Sequence, residues 1–519
     1  MLGALEHRLY GRAGVAGGVT VSGMSQHPAV HVRDGAVRGK AESGVWAFLG
    51  IPYAASPFGM NRMRPPQPAQ PWDGERDATT YGPTVPKGDY PPQYARLFPE
   101  VVIPGAECLN LNVWTPDTSA SLPVLVWIHG GSFMNGSGSV GAYNGAAFAR
   151  DGVVCVSINY RLAAEGFLFL DDGIANLGLL DQLAALRWVQ ANIPAFGGDP
   201  SRVTVAGESA GAMSVLTLLS MPQAEGLFSQ AIAQSGAAAH SLTQDQANLV
   251  SGYLASTLAV PADREAIRAV PLEKLVQAAS DLVVEVQTAP DPAKWGPLAL
   301  SLLPFAPAVD GEVVPQAPLT AIATGQGGEV RLLIGSNRDE ARLFFVAPAT
   351  IDLINDAALE AVASAYGLSA DSLAVYRAAR PGASAGDILA AVITDWFFAI
   401  PAIRVAEARA GAAGAPTWMY RFDHPAPEDN HGFGASHGAE VPFVFNTISQ
   451  QDLHPLIGDT PSQAVADKTH RTWVDFITHG DPGWPVYNTT SRITGLLAER
   501  VTAAADPAAS ERACWDQIR

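Results

Sequence analysis

Short apolar runs recur along the chain and alternate with stretches of helical spacing. The runs include Val124-Leu125-Val126-Trp127-Ile128, Val153 to Ile158, Val203-Thr204-Val205, Ala231-Ile232-Ala233, Val330 to Ile334 and Trp418 to Phe422. Strands buried on both faces read as near-continuous apolar runs, whereas half-exposed strands alternate. Between them, the stretch from about Asn176 to Asn192 spaces Leu177, Leu180, Ala184 and Trp188 to one helical face. Strands and helices in this order predict an α/β fold, a mostly parallel central sheet covered by helices on both faces. Ligands in such sheets bind beyond the carboxyl ends of the strands. The informative loops therefore follow Ile128, Val205 and Ile334.

Alanine-rich stretches near 240–300 and 340–410 also read as helical. They are expected as lobes above the sheet that wall a cleft. There is no internal repeat, low-complexity tract or clear linker, so 27–519 is expected as one catalytic domain. Residues 1–26 read as an N-terminal extension and a candidate for disorder, with Met24 an alternative start. They carry Glu6, His7, Arg8 and Arg12 without a continuous apolar block, unlike a secretory signal.

With 519 residues and 48% hydrophobic content, the chain can bury a large core. Its net charge of −18 repels phosphate backbones and anionic bilayers, so neither nucleic acid nor a membrane surface is expected as a partner. No run of 18 apolar residues predicts a membrane span. Cys108, Cys155 and Cys514 are odd in number and widely spaced, which argues against a disulfide framework and against zinc. A reducing cytoplasm is the expected location.

The chemistry centres on Ser209, in Gly207-Glu208-Ser209-Ala210-Gly211. An apolar run precedes this pentapeptide and a helical stretch, Ala212 to Leu219, follows it. A serine on a sharp strand-to-helix turn is a nucleophile elbow. The helix N-terminus behind it adds partial positive charge and free N–H groups. Oxyanion donors are expected from the small-residue turn after Ile128, His129-Gly130-Gly131-Ser132-Phe133, together with the N–H of Ala210. Gly136-Ser137-Gly138-Ser139-Val140-Gly141 matches a dinucleotide fingerprint by letters but does not directly follow a strand, so no nucleotide is expected there.

In elbow-bearing sheets the acid and the histidine follow the serine in the chain. Of three neighbouring histidines, His437 sits among small residues, Gly434-Ala435-Ser436-His437-Gly438-Ala439, which allow its ring to reach Ser209. His424 and His431 lie among Pro425, Pro427, Glu428, Asp429 and Asn430 and are expected to face solvent. Spacings of seven and six do not place the three on one helix face, so no metal site is expected. The acid that steadies the imidazole is expected in Gly335-Ser336-Asn337-Arg338-Asp339-Glu340, after an apolar strand. Residue chemistry alone leaves Asp339 and Glu340 both open.

Taken together, the motifs give the chain a family resemblance. Phe48-Leu49-Gly50-Ile51-Pro52-Tyr53-Ala54, Glu107-Cys108-Leu109-Asn110-Leu111-Asn112-Val113, Asn159-Tyr160-Arg161-Leu162, Asn176-Leu177-Gly178-Leu179-Leu180-Asp181-Gln182 and Phe196-Gly197-Gly198-Asp199-Pro200 lead into the elbow. Over roughly 27–515 the chain resembles the type-B carboxylesterases of the α/β-hydrolase superfamily, the group that includes cholinesterases and bacterial para-nitrobenzyl esterases. The resemblance implies an α/β-hydrolase fold and hydrolysis of carboxylic esters through an acyl-enzyme. It assigns Glu340 as the acid, His437 as the base, and the N–H groups of Gly131, Ser132 and Ala210 as oxyanion donors. It implies no cofactor and a small-molecule ester as partner. A monomer or homodimer is expected. Glu208, Ser235 and Asp395 resemble positions around the triad that support it by hydrogen bonding or electrostatics, with a structural ion pair the alternative for Glu208. Leu303 and Phe305 resemble acyl-pocket positions, with plain core the alternative. Carbamate, lactone and polyester hydrolysis remain alternatives on the same triad, and a non-catalytic binding protein of this fold is a remote one.

The sequence departs from the family pattern in four places. Ala341 stands where glycine usually follows the acid, and a negative φ there would make this harmless. Ser132 replaces glycine or alanine. Val85 holds the place of the partner that Cys108 bonds in many relatives, so no disulfide is expected. No acidic-aromatic signature near 95–105 suggests a choline pocket.

Overall fold

The computed structural model describes residues 28–411, 414–426 and 432–518. The 1–26 extension, with Met24, lies outside them, as do His431 and its neighbours Pro427, Glu428, Asp429 and Asn430. An 11-stranded sheet runs through the molecule. In spatial order its strands are Val501–Ala505, Ile493–Leu497, Thr417–Phe422, Arg331–Asn337, Gln230–Gln234, Gly198–Glu208, Leu122–Ile128, Val154–Ile158, Asn110–Thr115, Val45–Pro52 and Lys40–Glu42. The seven from Ile493–Leu497 to Val154–Ile158 are parallel, and antiparallel strands flank them on both sides. A small sheet of three strands, Ala29–Val32, Gly35–Arg38 and Glu75–Asp77, lies in the N-terminal part.

The apolar runs form the parallel strands because side chains alternate between the faces of a pleated sheet. Val124, Val126 and Ile128 enter one core, and Leu125 and Trp127 enter the other. Likewise Leu332 and Ile334 point one way and Leu333 the other. Both faces are covered, so both sets must be apolar. The register pairs Ile128 with Gly207, Glu208 with Gln234, Gln234 with Gly335, and Asn337 with Phe422. This brings the carboxyl ends of five strands to one edge, the edge that holds the site.

Two helices differ from their sequence reading. Leu177–Asn192 forms as predicted, yet Leu180 and Ala184 lie on its less buried side, while Leu179, Leu183, Leu186 and Val189 are fully buried. The helix is enclosed on most of its surface, so its polar stripe is narrow and the periodicity misassigns the inner face. The stretch Ala385–Ala410 is long and apolar enough to cross a membrane, but 61% of its apolar window is buried inside the fold. Ile388, Leu389, Val392 and Trp396 pack with Tyr376 and Trp515 in a third core, as in the core helix of a globular protein.

Candidate active site

Ser209 sits between the strand Gly198–Glu208 and the helix Ala210–Leu219 with φ 55° and ψ −123°. This conformation is rare for a residue with a Cβ and is held only when the surroundings impose it. Here they do. Ser209 N–H donates to Gln234 O at 2.8 Å and Ser209 O accepts from Met213 N–H at 2.9 Å. The flanking glycines are forced by space. A Cβ on Gly211 would lie 2.0 Å from Ile128 O, and one on Gly207 would lie 2.5 Å from the Gly211 carbonyl carbon.

The other two residues of the expected triad converge on this turn. His437 Nε2 lies 2.9 Å from Ser209 Oγ, and Nδ1 lies 2.6 Å from Glu340 Oε2. An ionised carboxylate only accepts, so Nδ1 carries the proton and Nε2 is left to accept from the serine. Glu340 is fully buried and its Oε1 accepts from Asn337 N–H at 2.7 Å. His437 N–H also donates to Glu340 O, and Asn337 Nδ2 donates to Ser436 O, so strand end and histidine loop are laced together. The two acids left open by sequence part here: Asp339 turns to Arg338 and to Ala435 N–H, and Glu340 turns to His437. Ala341 has φ −75°, so the missing glycine costs nothing.

Two more buried carboxylates shape the electrostatics. Glu208 Oε1 lies 3.2 Å from His437 Nε2, and Glu440 accepts from Asn337 and Gln234 side chains. Burial pushes both carboxyls up, Glu208 to about 8 and Glu440 to about 7, with their neighbouring carboxylates adding to it. Burial alone would depress His437. The charges of Glu208, Glu340 and Glu440 outweigh that and raise it. Glu208 and His437 therefore compete for protons, and each state of one sets the affinity of the other.

Gly131 (φ 107°), Ser132 (φ 55°) and Phe133 (φ 60°) make a tight turn after the strand Leu122–Ile128, closed by Met134 and Asn135 N–H donating to Gly131 O. A Cβ on Gly131 would lie 2.3 Å from Asn135 O, so only glycine fits. The N–H groups of Gly131, Ser132 and Ala210 donate to no acceptor among the described residues. All three residues line one cavity of about 410 Å³ together with Ser209, Glu208 and His437.

With this geometry in place, the comparisons are informative. Residues 26–493 match the model of the carboxylesterase family. The chain is 38% identical over 506 residues to the para-nitrobenzyl esterase of Bacillus subtilis (strain 168), covering 94% of this chain and 98% of that protein. It is 35% identical to the phenmedipham hydrolase of Pseudarthrobacter oxydans, covering 89% of this chain and 94% of that one. The solved carboxylesterase EST55 of Geobacillus stearothermophilus superposes with TM-score 0.82 at 35% identity, covering 94% and 99%. The chain belongs to the carboxylesterase family. It is a carboxylic ester hydrolase with the α/β-hydrolase fold.

The residues expected around the triad of this esterase fall out differently. Glu208 faces His437 directly. Ser235 has φ 53° and donates its N–H to Gly335 O, but its buried Oγ has no hydrogen-bond partner among the described residues. Asp395, expected behind the triad, accepts instead from Tyr376, which accepts from Trp515 Nε1 at 2.7 Å. The preceding Thr394 Oγ1 accepts from the N–H of Ala341, the residue after Glu340, at 3.0 Å. Leu303 lines the cavity, whereas Phe305 is 1% exposed and packs in the core, outside the lining. His424 is not solvent-facing as expected but half-buried, with its ring against Phe422 and Phe443.

Sequence reasoning missed much of the esterase's cavity wall. Phe398 and Phe344 flank the His437 ring at 4.8 and 5.6 Å between centroids. Asp89 and Tyr90, just before the 95–105 stretch, line the wall as well. The stretches 240–300 and 340–410 contribute lining residues, Val283 and Leu300 from one and Phe345 and Ile393 from the other. A second cavity of about 380 Å³ holds Arg338, Arg342 and Arg380, each already paired with Asp339, Asp387 or Glu511.

Proposed function

We propose that Ser209, His437 and Glu340 carry out ester hydrolysis, with the N–H groups of Gly131, Ser132 and Ala210 as the oxyanion hole. The observation that carries this reading is the hydrogen-bonded line Ser209–His437–Glu340, whose first two members line the cavity. Ser209 Oγ attacks the acyl carbonyl while His437 Nε2 takes its proton. The carbonyl oxygen, now negative, is held by the three N–H groups. Glu340 keeps the imidazole in the productive tautomer and stabilises its charged form. The tetrahedral species collapses, His437 protonates the departing alkoxide, and the alcohol leaves. Water then attacks the acyl-enzyme, its proton passing to His437, and the acid departs with Ser209 restored.

Small aryl and alkyl esters are the substrates this reading favours, since most of the wall is aliphatic and aromatic. Carbamates are the second class, since the same acyl-enzyme chemistry acts on their carbonyl. The free, buried Cys108 fits a reducing cytoplasm as the place of action. Rates on para-nitrophenyl acetate, butyrate and octanoate, with Ser209→Ala in parallel, test the proposal. Turnover in the parent that falls to background in the variant supports it, and equal rates in the two reject it.

A further inference from the structure

The cavity wall between positions 87 and 100 is closed at its base by one buried ion pair. Lys87 Nζ lies 2.8 Å from Glu100 Oε1, with side chains 2% and 16% exposed. Between them run Tyr90, Leu97 and Phe98, all of which line the cavity. The same two side chains grip the oxyanion turn. Glu100 Oε2 accepts from Gly136 N–H at 3.0 Å, and Lys87 Nζ donates to Gly136 O at 2.9 Å. Lys87 also donates to Val101 O at 3.1 Å, and Glu100 Oε1 accepts from Val101 N–H at 3.0 Å. Asn135 Nδ2 donates to Gly88 O at 2.7 Å, a third tie between wall and turn.

Gly136 follows the oxyanion turn and itself lines the cavity. It has φ 90°, and a Cβ there would lie 2.6 Å from His129 Nδ1 and 2.7 Å from Gly130 O. Both of its backbone polar groups are therefore fixed from one side by a charged pair and its Cα from the other by the start of the same turn. Burial lowers the proton affinity of Lys87, and the Glu100 charge beside it opposes that. Oxyanion donors act by being aimed before charge develops, so whatever fixes their direction acts on the transition state more than on bound substrate.

We infer that Lys87 and Glu100 are positioning residues for the oxyanion hole, clasping Gly136 so that the N–H groups of Gly131 and Ser132 stay aimed at the reacting carbonyl. The inference rests on the catalytic reading proposed above.

The test uses the full-length enzyme with the double substitution Lys87→Met/Glu100→Ala, which removes both charges and leaves neither buried alone. Rates on para-nitrophenyl butyrate and binding of an aryl trifluoromethyl ketone, which adds to the serine and places an oxyanion in the hole, are measured on the folded variant. The expected result is a fall in kcat of about tenfold or more, short of the ~100- to 1,000-fold cost of deleting a donor. KM stays within about twofold, and ketone affinity falls by the same factor as kcat. Glu100→Gln, which keeps shape and an acceptor oxygen, falls between variant and parent. A folded double variant with parental kcat and ketone affinity, or a loss confined to KM, overturns the inference. Ser209→Ala separates the two ideas: if the parent's turnover survives that substitution, the catalytic reading itself has failed.

Discussion

The floor and the walls of the cavity are built by different means. On the floor, Ser209 follows directly on one parallel strand, Glu340 lies three residues beyond the end of a second, and His437 lies on the loop beyond a third. Backbone contacts too tight for a methyl group hold Ser209 in place, and the three residues are at most 8% exposed. The walls come from helices and loops far apart in sequence, joined by side-chain packing. Phe344 and Val284, which line them, remain 38% and 48% exposed. Chemistry is thus fixed by close-packed backbone and selectivity by replaceable side chains. Changes on the floor should abolish turnover, and changes to the side chains that line the walls should redirect it.

The largest expected effect that would sharpen this contrast comes from Glu340→Gln. The amide matches the shape but no longer forces the proton onto Nδ1, so kcat should fall by about ten-thousandfold at unchanged fold. Single-turnover kinetics with a circular dichroism control checks it, and a fall of less than about tenfold would break the contrast. Gly211→Ala comes next. With 2.0 Å to Ile128 O there is no space for the new methyl, and displacing the backbone should cost about 1–3 kcal/mol of stability along with most activity. Chemical denaturation measures the first and a rate assay the second.

Much of the floor was legible in the sequence for the same reason that it is rigid. Gly207 and Gly211 are forced by space, and the parallel strands need unbroken apolar runs. The choice between Asp339 and Glu340 was not legible from chemistry, because two adjacent carboxylates at a strand end differ only in direction. The family resemblance supplied it. Asp395 accepts from Tyr376, while Thr394 beside it binds the N–H of Ala341, next to Glu340, and no local pattern separates the two roles. Phe305 failed as a pocket residue while Leu303, two positions earlier, lines the cavity. No local pattern pairs Lys87 with Glu100 or brings Phe398 to His437, as both depend on segments meeting across the fold.

A third prediction concerns the border between floor and wall. His437 must be neutral to act as base, and the Glu208 charge helps raise its proton affinity. Glu208→Gln removes that charge, so the acid limb of the kcat/KM profile should move to lower pH, by roughly one unit for each ~1.4 kcal/mol of lost interaction. A limb that moves upward would contradict the assigned sign. The smallest catalytic effect is expected on the wall. Leu303→Ala should shift preference toward longer acyl chains by a few fold with little change in Tm. Phe305→Ala should cost about 3–5 kcal/mol of stability and leave the preference alone. Rates on para-nitrophenyl esters of increasing length, beside thermal melts, separate the two.

Ester hydrolysis as proposed requires Ser209 Oγ to be the attacking atom. The most direct measurement is reaction with a fluorophosphonate followed by intact mass and peptide mapping. One phosphonyl group per chain is expected, on the peptide containing Ser209, with loss of ester hydrolysis in proportion to labelling and no label on Ser209→Ala. Stoichiometric label on another residue, or full esterase activity in the labelled protein, would contradict the assignment.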